Sequence, residues 1–251
     1  MKIAIMGRDK TAQLLEEYYS YSAFGLPYTN NYEQHKKLDV LNICLRYDAN
    51  FRKTVIAEIK KYKPDLTIIY SRIAPNTISY IRYRAKLPVV YSPIFGINPK
   101  PVTKKGEDVS YLKIMSGFPR FIGGEKIQDI KKAKEHMTLM GVKRPRDIKP
   151  SILVEIYALM MDAYYAHDLL FADYAKQLLK GKDDNFELYQ KFIEAYNRGY
   201  RKVKMRSNNR SSINPVDELG EDLIFAIKEL DKLISHNVSK QILKYAKEKS
   251  A

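Results

Sequence analysis

The sequence predicts an α/β fold: a Rossmann-like, mostly parallel sheet domain followed by an all-α domain built on one long helix. Three observations carry this. Over residues 1–145, short apolar runs alternate with stretches of helical periodicity, the pattern of strand–helix–strand crossovers in a parallel sheet. Residues 151–180 then run without Pro or Gly. Beyond them every apolar pattern is helical in period.

In chain order, Lys2 to Met6 form an apolar run that ends at Gly7, a short strand. "RDKTAQLLEEYYS" places Ala12, Leu15 and Tyr19 at helical spacing. "SAFGLPYTN" leaves room for a short second strand, and "DVLNICLR" is a buried strand by length and content. "NFRKTVIAEIKKYK" lines up Phe51, Val55, Ile56 and Ile59 on one helix face, and Pro64 ends it. "DLTIIYS" is the next strand, "PNTISYIRYRAK" a crossover helix and "LPVVYSPIF" another strand. "GINPKPVTKKGEDVS", rich in Gly, Pro and Lys, reads as a surface loop. "YLKIMSGFPRFIGG" supplies one or two more strands. "KIQDIKKAKEHMTLMG" repeats apolar residues at Ile127, Ile130, Ala133 and Met137 and closes at Gly141. "VKRPRDIKP" reads as a linker, giving domains at 1–145 and 146–251.

The long helix after Pro150 spans roughly 45 Å at 1.5 Å per residue. Ile152, Ile156, Leu159, Ala163, Ala166 and Leu170 mark one buried face, and apolar residues occupy other faces too. Such a helix lies at the centre of a bundle or in a dimer. A homodimer through Ser151–Lys180 is therefore expected, broken by charged residues at Ala163 and Ala166. "NFELYQKFIEAYNRGY" and the stretch from Val216 to Ser250 add two or three helices.

Of the 251 residues, 45% are apolar, enough for a core. No apolar run is long enough to cross a membrane, and the opening segment turns charged too soon for a secretory signal. The one cysteine, Cys44, rules out an intrachain disulfide and a cysteine zinc cage. A cytoplasmic protein without a membrane partner is expected. The net charge of +15 favours anionic partners such as nucleotides or nucleic acid. A lysine-rich solvated surface has the same composition.

The segments "DVLNICLR", "DLTIIYSRIAPNT", "LPVVYSPIFG" and "RFIGG", in that order before one long helix, resemble the NAD-dependent UDP-glucose/GDP-mannose dehydrogenases. More broadly they resemble the 6-phosphogluconate and β-hydroxyacid dehydrogenase superfamily, over residues 1–180. The resemblance implies NAD or NADP as cofactor, with Gly7, Arg8, Lys10, Thr11, Arg46, Ser71 and Pro75 around it. The turn from Ser71 to Thr77 matches the family's turn beside the cofactor through Ser71, Pro75 and Thr77.

The departures are informative. In the fingerprint, the first glycine makes the turn, the second lets backbone approach the pyrophosphate, and the third allows close helix packing. Gly7 and Ala12 suit the first and third roles, but Asp9 holds the second position. Its carboxylate repels a pyrophosphate. Arg8, Lys10 and the helix N-terminus offset part of that charge or take a smaller anion. The plainer reading is a strand-to-helix turn capped by Asp9. No acid follows at the ribose-binding position, and "DVLNICLR" arrives early, so the adenosine-binding half is expected to be shortened. Aligned on Glu155, the family's helix Lys and Asn become Ala158 and Asp162. The family's nucleophilic cysteine has no counterpart after Cys44, and no catalytic residue is assigned.

On the long helix, Asp162 and Asp173 lie about 16 Å apart, too far to share a metal, and His167 faces elsewhere. His35, His136 and His236 lack partners at ligand spacing. Arg198, Arg201 and Lys202 open a basic stretch reaching Arg210, suited to gripping an anionic substrate or a phosphate backbone; a solvated loop is the alternative. Three functions follow. One is a divergent sugar-nucleotide dehydrogenase relative that keeps a nucleotide- or phosphate-binding cleft. The second is an NAD(P)-dependent oxidoreductase with relocated catalytic groups. The third is a basic nucleic-acid or polyanion binder.

Overall fold

The computed structural model describes residues 1–21, 28–29, 32–95, 118–180, 186–205, 210–211, 213–214 and 219–249. The loop expected over 96–110, the first part of the strand region expected after it, and Arg206 of the basic stretch lie outside them. The chain forms two compact units, Met1–Ala158 and Leu159–Ala251.

The first unit is a seven-stranded sheet in the order β2-β1-β3-β4-β5-β6-β7. The strands are β1 (Ile3–Met6), β2 (Tyr28–Thr29), β3 (Val40–Ile43), β4 (Leu66–Ile69), β5 (Val89–Tyr91), β6 (Phe121–Gly124) and β7 (Arg146–Ile148). Only β5 and β6 pair antiparallel. Helices α1 (Lys10–Tyr21), α2 (Phe51–Tyr62), α3 (Thr77–Ala85) and α4 (Ile127–Leu139) flank it. β3 and β4 are buried along their whole length, as strands covered on both faces must be.

Alternation along the strands builds two cores. Ile3, Ile5, Val40, Leu66, Ile68 and Val90 pack with residues of α1 and α4 such as Leu15, Ile130 and Met137. Ala4, Leu41, Ile43, Ile69 and Val89 pack with Val55 and Ile59 of α2, Ile78 and Ile81 of α3, and Val154 and Ala158. The last two open the long helix α5 (Ser151–Leu179). Inside the first core, Asn42 Nδ2 donates to Ala4 O and to Tyr19 Oη, both at 3.1 Å, and Tyr19 Oη lies 2.9 Å from His136 Nε2. Burial lowers the His136 pKa to about 4. The histidine without a ligand-like partner in sequence is thus a neutral core residue.

Two features differ from the sequence expectation. "VKRPRDIKP" was expected as a linker, but Arg146–Ile148 pairs parallel with β6. It is an edge strand with two exposed residues, so it needs no apolar run. The second difference concerns the long helix. Ala166 is fully buried in the second unit's core with Leu169, Leu219, Ile227, Ile242 and Tyr245, and Ala163 packs against that cluster. Ala166 therefore faces its own chain, and half-buried Ala163 packs against it too. The large side chains Tyr157, Met160, Met161, Tyr164, Phe171, Tyr174 and Leu178 are the exposed ones. Ala166→Asp should cost about 3 kcal/mol or more, because it buries an unpaired carboxylate. A urea midpoint equal to wild type, with only a lower mass in solution, would contradict this packing. The second unit is completed by α6 (Phe186–Lys202), α7 (Glu221–Leu233) and α8 (Asn237–Lys249). No helix among the described residues is long and apolar enough to cross a membrane.

Candidate functional site

In an open α/β sheet, ligands bind at the carboxyl ends of the strands where the strand order reverses. Here that point lies between β1 and β3. The chain leaves β1 through α1 to β2 on one side, then returns past β1 to β3 on the other. Among the described residues β2 is the sheet's edge, and only residues 30–39 separate it from β3. The strand that flanks β2 in a full dinucleotide fold is thus missing there, as the early "DVLNICLR" implied.

The loop after β1 is shaped by its neighbour strand. Gly7 has φ +138°, and a Cβ on it would stand 2.1 Å from the carbonyl oxygen of Cys44. Cys44 N donates to Met6 O at 2.8 Å, carrying the β1–β3 pairing to the strand ends. Strand packing alone therefore requires the one glycine of the fingerprint. Two residues on, Asp9 Oδ1 accepts a hydrogen bond from Ala12 N at 2.8 Å. This is an N-cap, with the side chain closing one of the first-turn amides of α1. A carboxylate already occupies the place where that helix start offers a donor to an anion. Arg8 and Lys10 beside it are exposed, and Thr11 is half-buried.

The loops after β3 and β4 lock together. Leu45 N donates to Ser71 Oγ at 2.9 Å, and Ser71 Oγ donates to Ile43 O at 3.4 Å. Arg52 Nη2 donates to Pro75 O at 3.4 Å and to Thr77 Oγ1 at 3.2 Å, and Tyr47 Oη lies 3.3 Å from Thr77 Oγ1. Arg72 Nη1 donates to Ile94 O at 3.2 Å. Arg46 is exposed. Cys44 is buried, and burial together with the carboxylates of Asp9 and Glu16 pushes its thiol pKa up, the opposite of what a nucleophilic thiol needs.

Glu155 is the residue the sequence did not single out for chemistry. It lies fully buried on α5, and its Oε1 accepts from Ile78 N at 2.9 Å at the start of α3. Burial raises its pKa to about 7, the amides of Ile78, Asn76 and Thr77 hold it down, and the Glu125 carboxylate adds to the rise. The contact spans 77 residues, so no local pattern announces it. The only signal was a lone carboxylate in the apolar run "SILVEIYALM".

Of the residues expected around a cofactor, Gly7, Arg8, Arg46, Ser71 and Pro75 stand on the loops at the carboxyl ends of β1, β3 and β4, and Lys10 and Thr11 open α1. Ala158 is buried among the apolar residues on the α2–α3 side of the sheet. The remaining expected contacts, Asp162 toward substrate at the family's Asn position and Arg198, Arg201 and Lys202 toward an anion, belong to the second unit. There Asp162 is half-buried on α5, and Arg198, Arg201 and Lys202 are exposed on α6. Arg210 closes back on that helix: Asn197 Nδ2 donates to Arg210 O at 2.8 Å, and Arg210 N donates to Asn197 Oδ1 at 2.7 Å. Asp173 accepts from Gln177 Nε2 at 2.6 Å.

No sequence-family model matches the chain, and no curated protein matches it. Solved structures do. The UDP-D-ManNAc dehydrogenase of Pyrococcus horikoshii superimposes with a TM-score of 0.65 at 14% identity, over 99% of this chain and 69% of that one. A UDP-glucose dehydrogenase from Pyrobaculum islandicum gives 0.67 at 12% identity, over 97% and 68%. The 3-hydroxyisobutyrate dehydrogenase of Mycobacterium tuberculosis gives 0.67 at 8% identity, over 98% and 92%. The chain has the fold of the UDP-sugar and hydroxyacid dehydrogenases. At this identity the similarity is one of architecture: the sheet, its crossovers and the long helix.

Proposed function

We propose that this chain is a divergent relative of the sugar-nucleotide dehydrogenases that binds an anionic nucleotide-type ligand at the β1–β3 crevice without the family's hydride chemistry. The observation that carries this is the Asp9 cap. A dinucleotide needs bare backbone at that position, and here a carboxylate is bound to the helix start. NAD or NADP therefore does not fit Gly7–Ala12 as they stand. Two further points support the reading. The helix position that carries lysine in the resembled family is Ala158, which has no group to hold or move a proton. The only cysteine is the buried, high-pKa Cys44. Beside the Asp9 carboxylate stand three exposed cations, Arg8, Lys10 and Arg46, which suit a phosphate-bearing ligand smaller than a dinucleotide. Arg198, Arg201 and Lys202 of the second unit are kept as a separate set of anion contacts in this reading, and Asp162 as a substrate contact that accepts hydrogen bonds. The unit Met1–Ala158 supplies the ligand-binding part and Leu159–Ala251 the assembly part. Within the latter, a homodimer contact belongs on the exposed face of α5 from Met160 to Leu178.

A thermal-shift series tests this, because a ligand that binds only the folded state raises the melting temperature with its concentration. A nucleoside monophosphate such as UMP is expected to raise it, whereas NAD and NADP, whose pyrophosphate meets the Asp9 carboxylate, leave it unchanged. A rise with NADH alone would favour an oxidoreductase with relocated groups. A salt-sensitive rise with DNA alone would favour the polyanion binder.

A further inference from the structure

Helix α6 buries only Ile193 and Asn197 among its residues. A second, separate stripe on it is exposed: Leu188 at 60%, Phe192 at 66%, then Ala195 and Gly199, with Val203 at 64% just beyond. The spacing of four, three and four is that of a helix–helix seam. Gly199 is the informative member. A glycine inside a helix costs about 0.5–1 kcal/mol relative to alanine, yet a Cβ there would meet nothing within 4 Å. Among the described residues, the chain's own packing gives no reason for it. Close approach of another helix does.

The stripe is also polar in two senses. Its first half is bulky, with Leu188 and Phe192, and its second half is small, with Ala195 and Gly199. On the flank, Glu187 and Glu194 lie in the first half, with Glu187 bound to Lys191 at 2.6 Å, while Arg198, Arg201 and Lys202 crowd the second. One occupant satisfies both gradients at once: the same helix from a second copy, running antiparallel. We propose that α6 pairs with α6 of a second copy about a two-fold axis between Ala195 and Tyr196. Phe192 then packs over the partner's Gly199, and Leu188 meets the partner's Val203. Glu194 comes beside the partner's Arg198. Such an isologous contact is self-complementary, each residue meeting its counterpart's counterpart. The pairing is independent of the ligand reading at the crevice and separate from any contact through α5.

Cysteine crosslinking fixes the register. The sole native cysteine is buried, so the background is low. Phe192→Cys and Gly199→Cys are made in separate chains, and circular dichroism checks that both stay helical, as two exposed positions should. An equimolar mixture under mild oxidation is expected to give a covalent dimer holding one chain of each variant. Either variant alone should give little, because residues seven apart are separated by about 10 Å along the axis, beyond disulfide reach. Crosslinking of each variant to itself would mean a parallel pair and overturn the proposal. A mixture that stays uncrosslinked while the protein is dimeric by sedimentation would overturn it too, leaving an α5 contact standing. A monomer that never crosslinks overturns both.

Discussion

Gly7→Ala is expected to destabilise the first unit by about 3–5 kcal/mol, the sum of a strained backbone and an overpacked contact. The added methyl would stand 2.1 Å from the Cys44 carbonyl oxygen, at a φ of +138° that L side chains rarely adopt. Neither atom can give way cheaply, since Cys44 is tied to Met6 by the last rung of the β1–β3 pairing. Urea unfolding should therefore show a large fall in midpoint, with or without ligand. The outcome separates two meanings of the same glycine. If Gly7 serves only to let a phosphate approach, the alanine variant folds like wild type and loses nothing but its response to ligand. That result would contradict the packing account of the β1 loop.

Glu155→Gln should change how stability depends on pH, and the sign follows from two buried groups. Glu155 has a folded pKa of about 7 against a usual 4.5. Its protonated form is favoured in the folded state, so its contribution is full below pH 4.5 and is lost as pH rises to 7. His136 has a folded pKa of about 4 against a usual 6.5. Its neutral form is favoured in the folded state, so its contribution is full above pH 6.5 and is lost as pH falls to 4. Each amounts to about 3 kcal/mol at roughly 1.4 kcal/mol per pKa unit. Between pH 4.5 and 6.5 the two slopes oppose and nearly cancel in the wild type. Glutamine keeps an acceptor for Ile78 N and removes the ionisation. The variant should then gain stability steadily from pH 4.5 to 6.5, and above pH 7 exceed the wild type by about 2–3 kcal/mol. Equal slopes for the two proteins in urea titrations would show that Glu155 is not the buried acid described. Glu155→Ala offers a control, since it leaves the start of α3 without its carboxylate at every pH.

Much of this fold was legible in the sequence, for physical reasons that also explain what was not. β3 and β4 are buried on both faces, so "DVLNICLR" and "DLTIIYS" carry continuous apolar runs that only a covered strand explains. The Asp9 cap was legible because capping is local, resting on a side chain three residues from its donor. β7 was not, because an exposed edge strand built from Arg146, Asp147 and Ile148 carries no apolar signature. The inward face of α5 was half legible. Leu159 and Ala166 are buried as expected, but apolar residues surround the helix, and pattern alone could not say that the alanines point to the core and the tyrosines to solvent. Glu155 was invisible because its partner lies in another element far away in sequence. The alternation of strands and helices made the sheet legible, and the observed strand order puts its reversal at the crevice between β1 and β3. What occupies it depends on single side chains, of which Asp9 decides most.

The most direct measurement is a calorimetric titration of NADH into the wild type and into Asp9→Gly. Glycine costs an N-cap only a few tenths of a kcal/mol relative to aspartate, so the variant should remain folded. Wild-type protein is expected to release no binding heat, and the glycine variant to gain a measurable saturable response, because the carboxylate no longer fills the start of α1. Saturable NADH binding to the wild type, unchanged by Asp9→Gly, would contradict the central claim.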